Sequence, residues 1–189
     1  MTEYAKRVSF FEKGEQTWTV TPEALLWSIP RGTTESLAWR DITEVRLGFE
    51  PTRFKWDRYR LSLTARGGRL WSIDNQHFAG VGDFENRSAT FVPFMLACVE
   101  RIAALSPRAR ARLGSSSASY WTQLIFVATM FALLVLVLIL LPTQHGTVFW
   151  IKAAVIVLSL PLLVQWIRKA RPRKTVLSVE AFRAALPGG

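Results

Sequence analysis

The chain has 189 residues, a net charge of +10, and a composition that is 50% hydrophobic and 20% charged, which excludes disorder for most of its length. It is long enough for one domain with appendages and short of two full domains. A single cysteine excludes a disulfide framework, and one cysteine with two histidines leaves too few soft ligands for a typical zinc site.

The mean hydropathy of +0.18 averages two unlike regions. Residues 1–113 carry 17 Lys and Arg against 13 Asp and Glu, whereas 120–167 carry one charge, Lys152. Residues 114–189 hold seven basic side chains and one acidic, so the basic character gathers at the edges of an apolar block. That is the pattern of membrane topology and headgroup attraction. A nucleic-acid domain would carry the charge on its own folded face. Arg outnumbers Lys 18 to 6 and Trp occurs eight times, a bias associated with GC-rich bacterial genomes.

The start, MTEYAKRVSFFEKGEQ, lacks an apolar run, so no cleaved signal peptide is expected. Residues 7–75 alternate with period two. Trp18 and Val20 share one face, Leu25, Trp27 and Ile29 another, and Val45, Leu47 and Phe49 a third. Tyr59, Leu61 and Leu63 face one way while Arg58, Arg60, Ser62 and Thr64 face the other. Lys13-Gly14-Glu15, Pro22-Glu23 and Arg31-Gly32 supply turns, and Gly67-Gly68 before Trp71 and Ile73 reads as a two-residue hairpin loop. Six or seven short antiparallel strands are expected. After the turn Gly80-Val81-Gly82 the period becomes helical: Ser88–Leu105 puts Phe91, Met95, Cys98, Ile102 and Leu105 on one face, with Asn86 or Ser88 as cap.

The run Tyr120–Leu141 is 22 residues without a charge. At roughly 1.5 Å per residue it spans about 33 Å, matching a hydrocarbon core of about 30 Å. Pro142–Thr147 is a short polar break, and Val148–Ile167 is a second span with Trp150 and Trp166 near its ends. Arg108, Arg110 and Arg112 precede the first span, Arg168, Lys169, Arg171, Arg173 and Lys174 follow the second, and the loop between has no Lys or Arg. Both termini are therefore expected in the cytoplasm. Lys152 lies four residues into its helix and can snorkel to the outer interface; a pairing or gating role is the alternative. Pro161 is expected to kink the second span, and Ala128 with Ala132 makes a small-xxx-small pair. In the tail, Ser178 can cap a short helix whose apolar stripe is Val179, Phe182 and Leu186. That stripe needs a partner: the interface, its own domain or another subunit.

The order of strands and one closing helix, with Trp39, Asp41, Ile42 and Val45 in Leu37–Leu47, resembles the pleckstrin-homology-like (PH-like) domains of bacterial membrane proteins. The resemblance covers about residues 7–106. It implies an α+β fold, a small antiparallel barrel or sandwich of six to seven strands with a C-terminal capping helix, joined to a pair of spans. Eukaryotic relatives bind phosphoinositides through a basic strand and loop near the N-terminus; this chain has only Lys13 in its first turn.

A search for chemistry finds no catalytic constellation. His77 and His145 fall on opposite sides of the membrane in the expected topology, and Cys98 sits on the buried helix face. Gly80-Val-Gly82-Asp83 lacks a phosphate-loop pattern, and His77, Asp83 and Glu85 read as solvated or capping residues before they read as a metal site. The segment Arg53-Phe-Lys-Trp-Asp-Arg-Tyr-Arg60 interleaves basic and aromatic residues, so an anion or nucleic acid could bind there; a solvated outer face is the plainer reading.

The sequence thus predicts a cytoplasmic PH-like domain (1–106), a basic juxtamembrane linker (107–119), spans at 120–141 and 148–167 around an external turn (142–147), and a basic tail (168–189). The expected role is non-enzymatic, scaffolding or regulating a complex in a bacterial inner membrane, without cofactor, metal or nucleic acid. The alternative is an accessory subunit of an envelope enzyme or transporter. Arg53, Lys55, Arg58, Arg60, Arg108, Arg110, Arg112, Arg168, Lys169, Arg171, Arg173 and Lys174 are the candidate contacts to anionic headgroups. A protein partner in the membrane, or a second copy of the chain, is expected as well.

Overall fold

Alternation of apolar side chains along the first forty residues builds a meander: β1 (Thr2–Lys6), β2 (Gln16–Val20), β3 (Ala24–Ser28) and β4 (Thr34–Ala38) pair antiparallel in chain order. Trp18, Val20 and Leu25 are buried as their period predicts, and Tyr4 extends the same face into β1. This is a computed structural model; it describes residues 2–11, 14–30, 32–51, 57–140 and 146–186.

A turn of 3-10 helix, Trp39–Asp41, carries the chain into β5 (Ile42–Phe49). Trp39 is wholly buried, its indole N–H donates to the Thr21 carbonyl at 3.0 Å, and its carbonyl accepts from the Ser106 hydroxyl at 2.8 Å. β5 pairs with β6 (Tyr59–Ala65), and β6 with β7 (Leu70–Asp74). Gly67 and Gly68 turn that last hairpin with φ of +84° and +82°, a conformation that only glycine adopts cheaply. A small ribbon follows, β8 (Gln76–Gly80) against β9 (Asp83–Asn86).

Helix α1 runs from Ser88 to Leu105, as the sequence predicts. Phe91, Met95, Cys98 and Ile102 are fully buried, joined by Phe94 and Val99. The Asn86 carboxamide oxygen accepts from the Ser88 N–H at 2.9 Å, so Asn86 serves the first turn.

Residues 107–119, expected as a linker, contain a strand. In β10 (Arg110–Leu113), Ala111 and Leu113 face the core while the intervening positions carry arginine, and β10 lies parallel to β5. Residues 168–189, expected as a tail, supply β11 (Arg173–Thr175), antiparallel to β10, and α4 (Val179–Arg183). The second sheet therefore runs β11-β10-β5-β6-β7. The Ser178 hydroxyl caps α4 from the Ala181 N–H at 3.2 Å, and Phe182 and Leu186 are buried in the core with α1. Of the three partners open to the tail stripe, it has taken its own domain. Among the described residues six strands, β2 to β7, fall within residues 7–75, where six or seven were expected; β1, β8 and β9 bring the number before α1 to nine, β10 and β11 follow it, and the sheets do not close into a barrel.

The chain divides into two compact units, Met1–Gly114 with Arg173–Gly189, and Ser115–Pro172. The second unit consists of two long apolar helices, α2 (Ser117–Leu140) and α3 (Gly146–Ala170). By length and composition α2 could cross a membrane; α1 passes the same test, but its buried side chains make it a core helix. Most large apolar side chains of α2 and α3 are exposed, among them Ile125, Phe126, Leu140, Val157 and Leu158. α3 runs unbroken through Pro161. Residues 141–145, most of the expected turn, lie outside the described residues.

Candidate anion-binding face

One backbone hydrogen bond between distant segments and two local ones shape one end of the five-stranded sheet. The Arg66 N–H donates to the Asp41 carbonyl at 2.8 Å, which ties the β6–β7 turn to the 3-10 turn. Ser106 N–H donates to Ile102 at 2.7 Å and Ala109 N–H to Ser106 at 2.9 Å, which fold the exit of α1 tightly before β10. The Ser106 hydroxyl then bonds the Trp39 carbonyl, as above. Arg40, Arg66, Arg108 and Arg110 stand around the resulting groove of about 780 Å³, with Thr43 and Thr64 at its wall.

Glu44 is the acidic residue lining that groove, and its charge is already engaged: Arg46 reaches it at 2.8 Å and Arg112 at 3.2 Å. Arg40, Arg66, Arg108 and Arg110 are exposed and have no acidic partner among the described residues. A second, smaller depression continues along β10 past Arg108, Arg110 and Arg112 to Lys174 on β11. Five guanidinium groups and one ammonium thus follow one surface. Arg173 on β11 is exposed too.

The other candidate residues separate into distinct groups. Arg58 is an internal structural charge: its guanidinium grips the buried Asp74 carboxylate at 2.6 Å, and Lys6 pairs with the same carboxylate. Burial works to raise the Asp74 carboxyl, but Lys6 and Arg58 outweigh it and hold it below the usual carboxylate range. Burial also draws the Lys6 ammonium below its ordinary value, against the pull of Asp74. Arg60 pairs with Glu50 at 2.9 Å. Both arginines are therefore engaged inside the fold. Arg53 and Lys55, with the side chain of Lys169, lie outside the described residues. Arg168 and Arg171 are exposed and belong with the apolar helices.

Sequence reasoning missed Arg40 and Arg66, because only the fold brings the 3-10 turn and the β6–β7 turn beside the exit of α1. The available signal was the Trp39–Asp41 stretch, whose tryptophan fixes that turn in the core.

Elsewhere Cys98 and His77 are engaged in the fold. The Cys98 thiol is fully buried, and burial pushes it far above its ordinary value, away from nucleophilic use. His77 faces Glu85 across the β8–β9 ribbon, and its Nδ1 accepts the Arg7 N–H at 3.0 Å. Among the described residues no three His, Cys, Asp or Glu side chains gather as a metal site. A cavity of about 140 Å³ lies between Trp18, Trp27 and Trp71, where the buried Trp71 indole N–H has no partner among the described residues.

No protein-family model, no curated protein and no solved structure matches the chain.

Proposed function

We propose that the chain is a non-enzymatic protein of a bacterial inner membrane, in which a PH-like domain on a two-helix anchor scaffolds or regulates a membrane complex. The observation that carries this reading is the pairing of β10 with β11 inside one compact unit. Only Gly114, Ser115 and Ser116 separate β10 from α2, and only Arg171 and Pro172 separate α3 from β11. Helices that leave and re-enter one folded domain can cross a bilayer only out and back. The exposed apolar surface of α2 and α3 supports immersion in lipid, since water-facing patches of that extent are rare in soluble monomers.

The distribution of Lys and Arg supports a crossing in which the folded unit and both termini lie on the cytoplasmic side. The arginine-lined face belongs to that unit and offers contacts for anionic headgroups, and a protein partner or second copy completes the complex. Each basic side chain near such a surface contributes roughly 1 kcal/mol of attraction.

Cysteine labelling in intact cells tests the orientation. The native Cys98 is buried, so background labelling is low. Thr143→Cys is expected to react with an impermeant thiol reagent from outside, and Ser72→Cys, on the exposed side of β7, only after permeabilisation. The reverse pattern refutes the orientation. Labelling of both sites from outside refutes the anchor.

A further inference from the structure

We infer that the groove among Arg40, Arg66, Arg108 and Arg110 is a binding site for a phosphomonoester or pyrophosphate group, one carrying at least two negative charges. The argument begins with charge balance. Four guanidinium groups line one concavity, and the single carboxylate in its lining, Glu44, is held by Arg46 and Arg112. The Asp41 side chain, next in sequence to Arg40, is not part of the lining and makes no ion pair among the described residues. Like charges gathered without a counter-charge repel one another, and a bound polyanion relieves that repulsion.

The chemistry of the side chains narrows the class. Arginine presents a planar fork of donors that meets phosphate oxygens in pairs, and all four groups here are arginine. Preorganisation is the second argument. Arg66 hangs from a turn pinned to Asp41, while Arg108 lies inside, and Arg110 directly after, the 106–109 turn that Ser106 ties to Ile102 and Trp39. The backbone positions are thus fixed before any ligand arrives, so little ordering cost remains. At about 780 Å³ the groove has the size of small-molecule sites and exceeds what one phosphate fills, which suits a phosphate with an attached group.

Two sources could supply this chemistry: the headgroup of a lipid with a terminal phosphate, or a free phosphorylated metabolite. Full-length protein in phosphatidylcholine nanodiscs, in metal-free buffer at low salt, is titrated calorimetrically with inorganic pyrophosphate. Saturable binding is expected. The double variant Arg40→Gln/Arg66→Gln should weaken it at least tenfold. Arg101→Gln/Arg183→Gln removes the same charge from exposed positions outside the groove and should change it less than threefold. Arg108→Gln/Arg110→Gln serves as the second groove variant if the first melts abnormally.

Nanodiscs doped with phosphatidic acid or with phosphatidylglycerol then separate the sources. Blocking by phosphatidic acid alone identifies a headgroup, and no blocking by either identifies a free ligand; both outcomes support the site. Absence of pyrophosphate binding overturns the proposal, as does equal weakening by the groove and control variants, which would mean diffuse charge. The soluble-probe arm stands whether or not the helices cross a bilayer; only the headgroup arm rests on the membrane reading.

Discussion

Asp74 gathers two ion pairs in the interior of the domain. It pairs with Lys6 and Arg58 below the surface, and its carbonyl accepts the Tyr4 hydroxyl at 2.8 Å. Because its folded carboxyl sits below the ordinary value, the unfolded chain binds the proton more tightly. Stability is therefore fully present above the ordinary carboxylate value of about 3.9 and drains away as pH falls through the folded one. Asp74→Asn strands two buried cations. The expected cost is about 3–5 kcal/mol, or a drop in Tm on the order of 10 °C for the full chain in detergent. His77 follows the same sign in a higher window. Burial, and then the nearby Arg87, push its imidazole below the ordinary value of 6.5, and the neutral ring accepts the Arg7 N–H. Stability from this contact is expected to fall as pH drops below about 6.5. His77→Gln, which keeps an acceptor, should flatten that part of a pH–Tm profile.

At the scale of elements, the tail helix is the informative case. Phe182 on α4 is wholly buried, and Leu177 and Val179 pack beside it against the core. Phe182→Ala should cost about 3–5 kcal/mol by differential scanning fluorimetry of the full chain. Ile102→Asp places an unpaired carboxylate under the sheet and should abolish the cooperative melt. Helix α1 was legible in the sequence to its ends, because Phe91, Met95, Cys98 and Ile102 repeat at helical spacing. The strands β2 to β7 were legible through their alternation, and the Gly67-Gly68 turn through its chemistry. β10 and β11 were not. Four residues such as Arg110–Leu113 hold too few apolar positions to show a period, and their arginines read as topology signals. The parallel pairing of β10 with β5 joins residues more than sixty apart, which no local pattern reports. The groove was half legible: Arg108 and Arg110 were visible as a basic run, while Arg40 and Arg66 became part of it only through the fold.

For the whole molecule, the β10–β11 pair sets a timetable. Ribosomes deliver the chain from its N-terminus at about 5–20 residues per second, so the roughly sixty residues between the two strands occupy several seconds. Throughout that interval β10 is an open edge, and the apolar seat of Phe182 on α1 stays bare. The domain that begins first thus finishes last, once both helices have been synthesised and the tail has returned. A nascent chain arrested after Ala170 should therefore be cut rapidly by protease within residues 1–114, whereas one extended past Leu186 should resist. Quality control gains a single checkpoint from this arrangement: a chain that fails to bring β11 back to β10 leaves the domain unsealed and open to degradation.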